Sequence, residues 1–131
     1  MEVISTQRTG SANLETSTMV RSWTNTNPAT QGITSVKIRQ VDGSLRLAIE
    51  GAAHGAPFQW GEIEIAAIYA ENPSSGKGMA FSARYDFGFL ETLIEGNVNA
   101  GLLVLAAFHT FRDGSNRSNY FSREFFNEVA Q

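Results

Sequence analysis

Cysteine is absent from the 131 residues, which removes disulfides, thiol nucleophiles and thiolate metal sites at once. Lysine is nearly absent: ten basic residues against thirteen acids leave a net charge of −3, and all but Lys37 and Lys77 of the basic ones are arginines. No basic face follows from that balance, so a nucleic-acid partner is not expected. Histidine occurs only as His54 and His109, too far apart for a His-x-x-x-His ligand pair, and no metal or other cofactor is expected. Long apolar runs are missing as well. The longest, 102–108, is about a third of a membrane span. Residues 1–10 lack the basic start and apolar core of a signal peptide, so a cytoplasmic location without a membrane partner is the expectation. There is no Gly-x-Ser-x-Gly elbow, and Gly76-Lys77-Gly78 is too short to cradle a phosphate.

What remains is 42% hydrophobic and 18% charged, a globular composition with enough apolar mass for a single core. Residues 1–19 are polar and rich in Ser and Thr; they read as a flexible N-terminal arm, with at most a short helical turn around 12–18. From 20 to 131 the apolar period is two. Strands are expected at 20–26, 33–41, 44–50, 58–70, 79–87, 89–95, 102–111 and 117–126. Only 122–130 carries a hint of helical spacing. Asp42-Gly43 lies between two alternating runs, the pattern of a two-residue hairpin whose central residues both need positive φ. Consecutive hairpins with short loops favour a single antiparallel up-and-down β-barrel of about eight strands, because closure removes exposed edges.

The order of these signals, with Trp23-Thr24-Asn25 early in the first strand and Asp42-Gly43-Ser44-Leu45 at the second hairpin, resembles the calycin barrels, which include avidins, lipocalins and fatty-acid-binding proteins. The resemblance spans 21–51 and implies an all-β, calycin-like barrel that holds a small molecule. The avidin glycine two before the tryptophan is Arg21 here, and the positions of its ligand-binding tyrosine and serine fall on Ile49 and Gly51. The resemblance therefore extends to architecture and not to biotin. Allene-oxide-cyclase-like barrels, which include small natural-product cyclases, share the general shape.

Several residues can carry chemistry. Trp23 and Trp60 each offer a flat apolar surface with one N–H, suited to a binding mouth or to a core plug. Asn25 lies beside Trp23. Glu62 and Glu64 share a strand face, expected to include Phe58, Trp60 and Ile68, where neighbouring carboxylates raise each other's pKa if shielded. Tyr85 is expected on an apolar face with Met79, Phe81 and Ala83, and Tyr69 likewise beside Ile63, Ile65 and Ala67. His54 sits in an uncrowded loop and is free to titrate near neutrality; His109 shares a face with Leu103, Leu105, Ala107 and Phe111, where a core role is favoured. Arg112 and Arg117 flank Asp113-Gly114 and can grip an anionic or hydroxylated group with their planar forks. Against each stands a plain alternative: an exposed loop histidine, surface ion pairs, turn chemistry.

Along 102–111 both faces are apolar, with Leu102, Val104, Ala106 and Phe108 opposite Leu103, Leu105 and Ala107. A strand apolar on both faces is covered on both, and a chain with so little helix leaves a second subunit to do it. The expectation is therefore a homodimer or larger homo-oligomer that binds an apolar or partly polar small molecule through Trp23, Asn25, Trp60, Tyr69, Tyr85, Arg112 and Arg117. One alternative is a cofactor-independent isomerase or cyclase using Glu62, Glu64, Tyr85 or His54 for proton transfer. A second is a carbohydrate-binding module with an exposed tryptophan.

Overall fold

A computed structural model describes residues 14–53 and 56–130, and over that span the chain is all-β. The strands among the described residues are β1 (Ser22–Asn25), β2 (Ile33–Val41), β3 (Ser44–Ala53), β4 (Ala56–Glu64), β5 (Ala67–Ala70), β6 (Gly78–Asp86), β7 (Leu90–Asn99), β8 (Leu102–Phe111) and β9 (Tyr120–Glu128). They form one nine-stranded sheet in the order β4-β3-β2-β1-β9-β8-β7-β6-β5, antiparallel throughout and curled into a half-barrel. The two edge strands, β4 and β5, are consecutive in the chain. In the link between them the Ile65 N–H donates to the Leu45 carbonyl on β3, and the Ala66 N–H donates to the Ser82 carbonyl on β6, both at 2.9 Å.

The Asp42-Gly43 hairpin forms as its sequence requires, with φ of 49° and 84°. A second tight turn at Ala100-Gly101 has the same signature, with φ of 54° and 81°. The sequence pattern predicts that the preceding strand ends at 95, but β7 runs on to Asn99. Gly96 is not a turn residue. A Cβ there would lie 2.5 Å from the Phe81 ring, so glycine leaves room for that ring. The hint of helix at 122–130 is overruled, because β9 pairs with β8 from Tyr120 to Asn127. No helix among the described residues is long and apolar enough to cross a membrane.

The expected single strand at 58–70 is broken into two, and the face assignments made from it change. Ile49 pairs with Gly61 and Glu50 with Gln59, which leaves Trp60 as the extra residue of a β-bulge; Gly61 supplies the required φ of 97°. An extra residue reverses the alternation downstream. Trp60 and Ile63 therefore both pack on the core, and Ile65 is buried within it, while Glu62 and Glu64 point to solvent. The alternation is reset again at the 65–66 link. Ile68 packs inward and Tyr69 is turned out, 50% exposed.

The concave face carries one contiguous apolar cluster. Trp23, Ile38, Leu47, Ile49, Phe81, Ile94, Leu103, Leu105 and Phe126 are all buried in it. Of the N-terminal arm, residues 14–19 are docked. Glu15 exchanges backbone hydrogen bonds with Gly76 and Gly78, and Met19 is completely buried. The rest of the arm lies outside the described residues.

Candidate functional site

Loops 26–32, 87–89 and 112–119 lie at one end of the sheet, and close to that end the inner face carries a cluster of aromatic and polar side chains. Thr92, His109 and Tyr120 are directly opposed across β7, β8 and β9, forming one rung of hydroxyl, imidazole and phenol. Among the described residues His109 and Thr92 are the two buried polar ones, and Thr92 Oγ1 is 2.9 Å from His109 Nδ1. The Tyr120 ring stacks on His109 with centroids 4.3 Å apart and is itself 53% exposed. On the other side Trp60 meets His109 edge-on at 6.3 Å, Tyr85 at 5.4 Å and Phe87 at 5.6 Å. Tyr85 and Phe87 stack at 5.5 Å.

The bulge that turns Trp60 inward is what brings its indole here, and Gly51 across the ladder makes room. A Cβ on Gly51 would be 2.8 Å from Trp60 Nε1. Burial pushes the His109 imidazole below its ordinary value, so the ring is neutral at pH 7. Burial raises the Tyr85 phenol, and its O–H donates to the Gly61 carbonyl at 2.7 Å, with the Leu47 carbonyl at 3.3 Å. That phenol is held protonated and occupied.

The arginines stand at the rim of this end. Arg117 donates to Asp113 Oδ2 at 2.5 Å, and its guanidinium lies over Phe111 at 4.2 Å and Phe89 at 5.7 Å. Hydrogen bonds from Ser115, followed by Arg117, hold the Asp113 carboxyl down at about 2. Arg112 pairs with Asp86, whose carboxyl is lowered first by the Gly88 N–H and then by Arg112. Both forks are thus matched to carboxylates within the chain.

The other sequence candidates lie elsewhere. Trp23 is a core residue, 2% exposed, and its Nε1–H donates to the Met19 carbonyl at 3.3 Å. Both Asn25 amide protons are engaged, by the Ile33 carbonyl at 2.7 Å and Glu124 at 2.9 Å, and its oxygen accepts from the Asn27 N–H; the side chain ties down loop 26–32. Glu62 receives two hydrogen bonds from Arg39, at 2.6 and 2.8 Å. These lower its pKa, the opposite of the shielded carboxylate pair expected from sequence. Tyr69 contacts Ser82 on the outer face at 3.3 Å. His54 lies outside the described residues.

Sequence reasoning passed over Thr92, Phe87 and Tyr120. The available signal was a lone threonine on an otherwise apolar inner face, but only the cross-strand register shows that it meets His109. No family model matches this chain, and neither a curated protein nor a solved structure matches it.

Proposed function

We propose that the chain closes as a calycin-type barrel and that its aromatic end binds a flat, largely apolar small molecule bearing one hydrogen-bonding atom. Closure is supported by the β4–β5 segment, whose first half pairs with β3 and whose second half pairs with β6. It is also supported by the Tyr85 hydroxyl, which reaches from β6 to carbonyls on β3 and β4. The single observation that carries the binding reading is a neutral, buried His109–Thr92 pair walled by Trp60, Tyr85, Phe87 and a half-exposed Tyr120. Apolar walls with one convergent polar group are the usual make-up of a small-molecule site. With Nδ1 engaged by Thr92, Nε2 is the imidazole nitrogen that meets a ligand, as donor or acceptor according to the tautomer. Glu62 and Glu64, on the outer face, take no part in this reading.

The test uses 1-anilinonaphthalene-8-sulfonate, a flat apolar probe with a polar group. It is expected to quench tryptophan emission saturably, and Trp60→Ala is expected to weaken binding by about 1–3 kcal/mol, the range for losing a large apolar contact. The titration is repeated in Phe121→Ser, which removes the most exposed aromatic of the outer face. Quenching that vanishes in Phe121→Ser and persists in Trp60→Ala overturns the assignment.

A further inference from the structure

The outer face of β6–β9 forms a grid that can be read from the register. One row runs Phe121, Phe108, Leu93, Arg84; the next Arg123, Ala106, Glu95, Ser82; the third Phe125, Val104, Asn97, Ala80. Its aromatic members are exposed: Phe121 at 67%, Phe108 at 41% and Phe125 at 38%. The Phe108 and Phe121 rings stack at 5.9 Å. Arg123 and Glu95 sit on opposite sides of Ala106, both exposed, and neither enters an ion pair among the described residues. The outward arginines Arg84, in the first row of the grid, and Arg39, on β2, are both paired within the chain. Next to the β9 ridge is an open depression of about 290 Å³, lined by Tyr69, Ser82, Glu95, Asn97 and Val104 among others.

We propose that this face is covered by a second copy of the chain, across a two-fold axis lying between the two sheets and parallel to β8. An isologous interface must be complementary to itself, and of the two in-plane axes through Ala106 this grid is so only for the one along β8. A two-fold along β8 sets β9 of each copy over β7 of the other. Arg123 then meets Glu95 twice, Phe121 meets Leu93, Phe108 meets Phe108, and the ridge of Arg123 and Phe125 enters the partner's depression. The alternative axis through Ala106, across the strands, stacks Arg123 on Arg123 and Glu95 on Glu95, a like-charge arrangement that disfavours it. Charge therefore selects the axis, and the aromatic rows give the face its affinity. Two sheets packed this way lie about 10 Å apart with mean strand directions within about 30°, which leaves small Ala106 on the axis facing its own copy.

Sedimentation velocity of the full chain at low micromolar concentration tests the proposal. The wild type is expected to run at twice the monomer mass. Glu95→Arg and Arg123→Glu alone are each expected to raise the dimer dissociation constant roughly tenfold or more, and the double variant is expected to restore it. Circular dichroism confirms that each variant folds. A wild-type monomer at all accessible concentrations overturns the interface, and single reversals without rescue in the double variant overturn the axis. An independent arm places a thiol in this cysteine-free chain. Ala106→Cys is expected to give a covalent dimer with a short bis-maleimide, and Lys37→Cys, on the outer face of β2, is expected to give none. Equal cross-linking of both overturns the interface.

Discussion

His109 is the residue on which the electrostatics of the aromatic end turn. Its folded pKa lies below the ordinary 6.5 because the ring is buried. As pH falls through about 6.5 the unfolded chain takes up this proton first, and the folded chain follows only at lower pH. The contribution to stability is therefore intact above that value and is lost as pH falls through the window between the two. Proton NMR of the His109 ring, in a His54→Gln background that removes the second imidazole, is expected to show a midpoint below 6.5; a midpoint at or above 6.5 contradicts the buried pair with Thr92. Gly96 makes a different point, about space. Its missing Cβ would stand 2.5 Å from two atoms of Phe81, whose ring is 1% exposed. Gly96→Ala is expected to destabilise by about 1–3 kcal/mol through overpacking, read from urea denaturation. An unchanged midpoint would show that the ring can shift.

At the scale of the element, what was legible in the sequence was whatever a short window contains. The Asp42-Gly43 turn, the inner row of β8 and the Phe81-Ala83-Tyr85 face of β6 follow from local chemistry and a period of two. The bulge at Trp60 was not legible, since Trp-Gly within a strand reads equally as regular ladder, and the decision rests on how β3 and β4 align. That one extra residue moved Trp60 from the glutamate face to the core, and with it most of the candidate site. Turn chemistry also leaves an imperfection that can be corrected. Ala100 holds a φ of 54°, where a side chain with Cβ is strained by roughly 1–2 kcal/mol and asparagine is tolerated far better. Ala100→Asn is expected to stabilise by about 0.5–1 kcal/mol, visible as a higher melting temperature. A lower one would show that the Asn99–Leu102 hairpin does not adopt this turn.

Over the whole molecule, the sheet is two meanders, β1–β4 and β5–β9, joined at the β4–β5 link and along the β1–β9 ladder. If the two edges are held together at the link, the Ile65 and Ala66 amides are both protected in native-state hydrogen exchange, one by Leu45 and the other by Ser82. Exchange of both at unstructured rates would mean that the edges separate. The β1–β9 ladder has a consequence of its own for the order of folding. Every other strand pair joins near neighbours in the chain, whereas Phe126, Asn127 and Glu128 find Asn25, Thr24 and Trp23 from about a hundred residues away. Bringing such distant segments together costs on the order of 4 kcal/mol of chain entropy, set against only a few backbone hydrogen bonds. The hairpins on each side form from local contacts and can precede it, so the pairing that sets the strands of Trp23 and Phe126 side by side is expected to be the last to form.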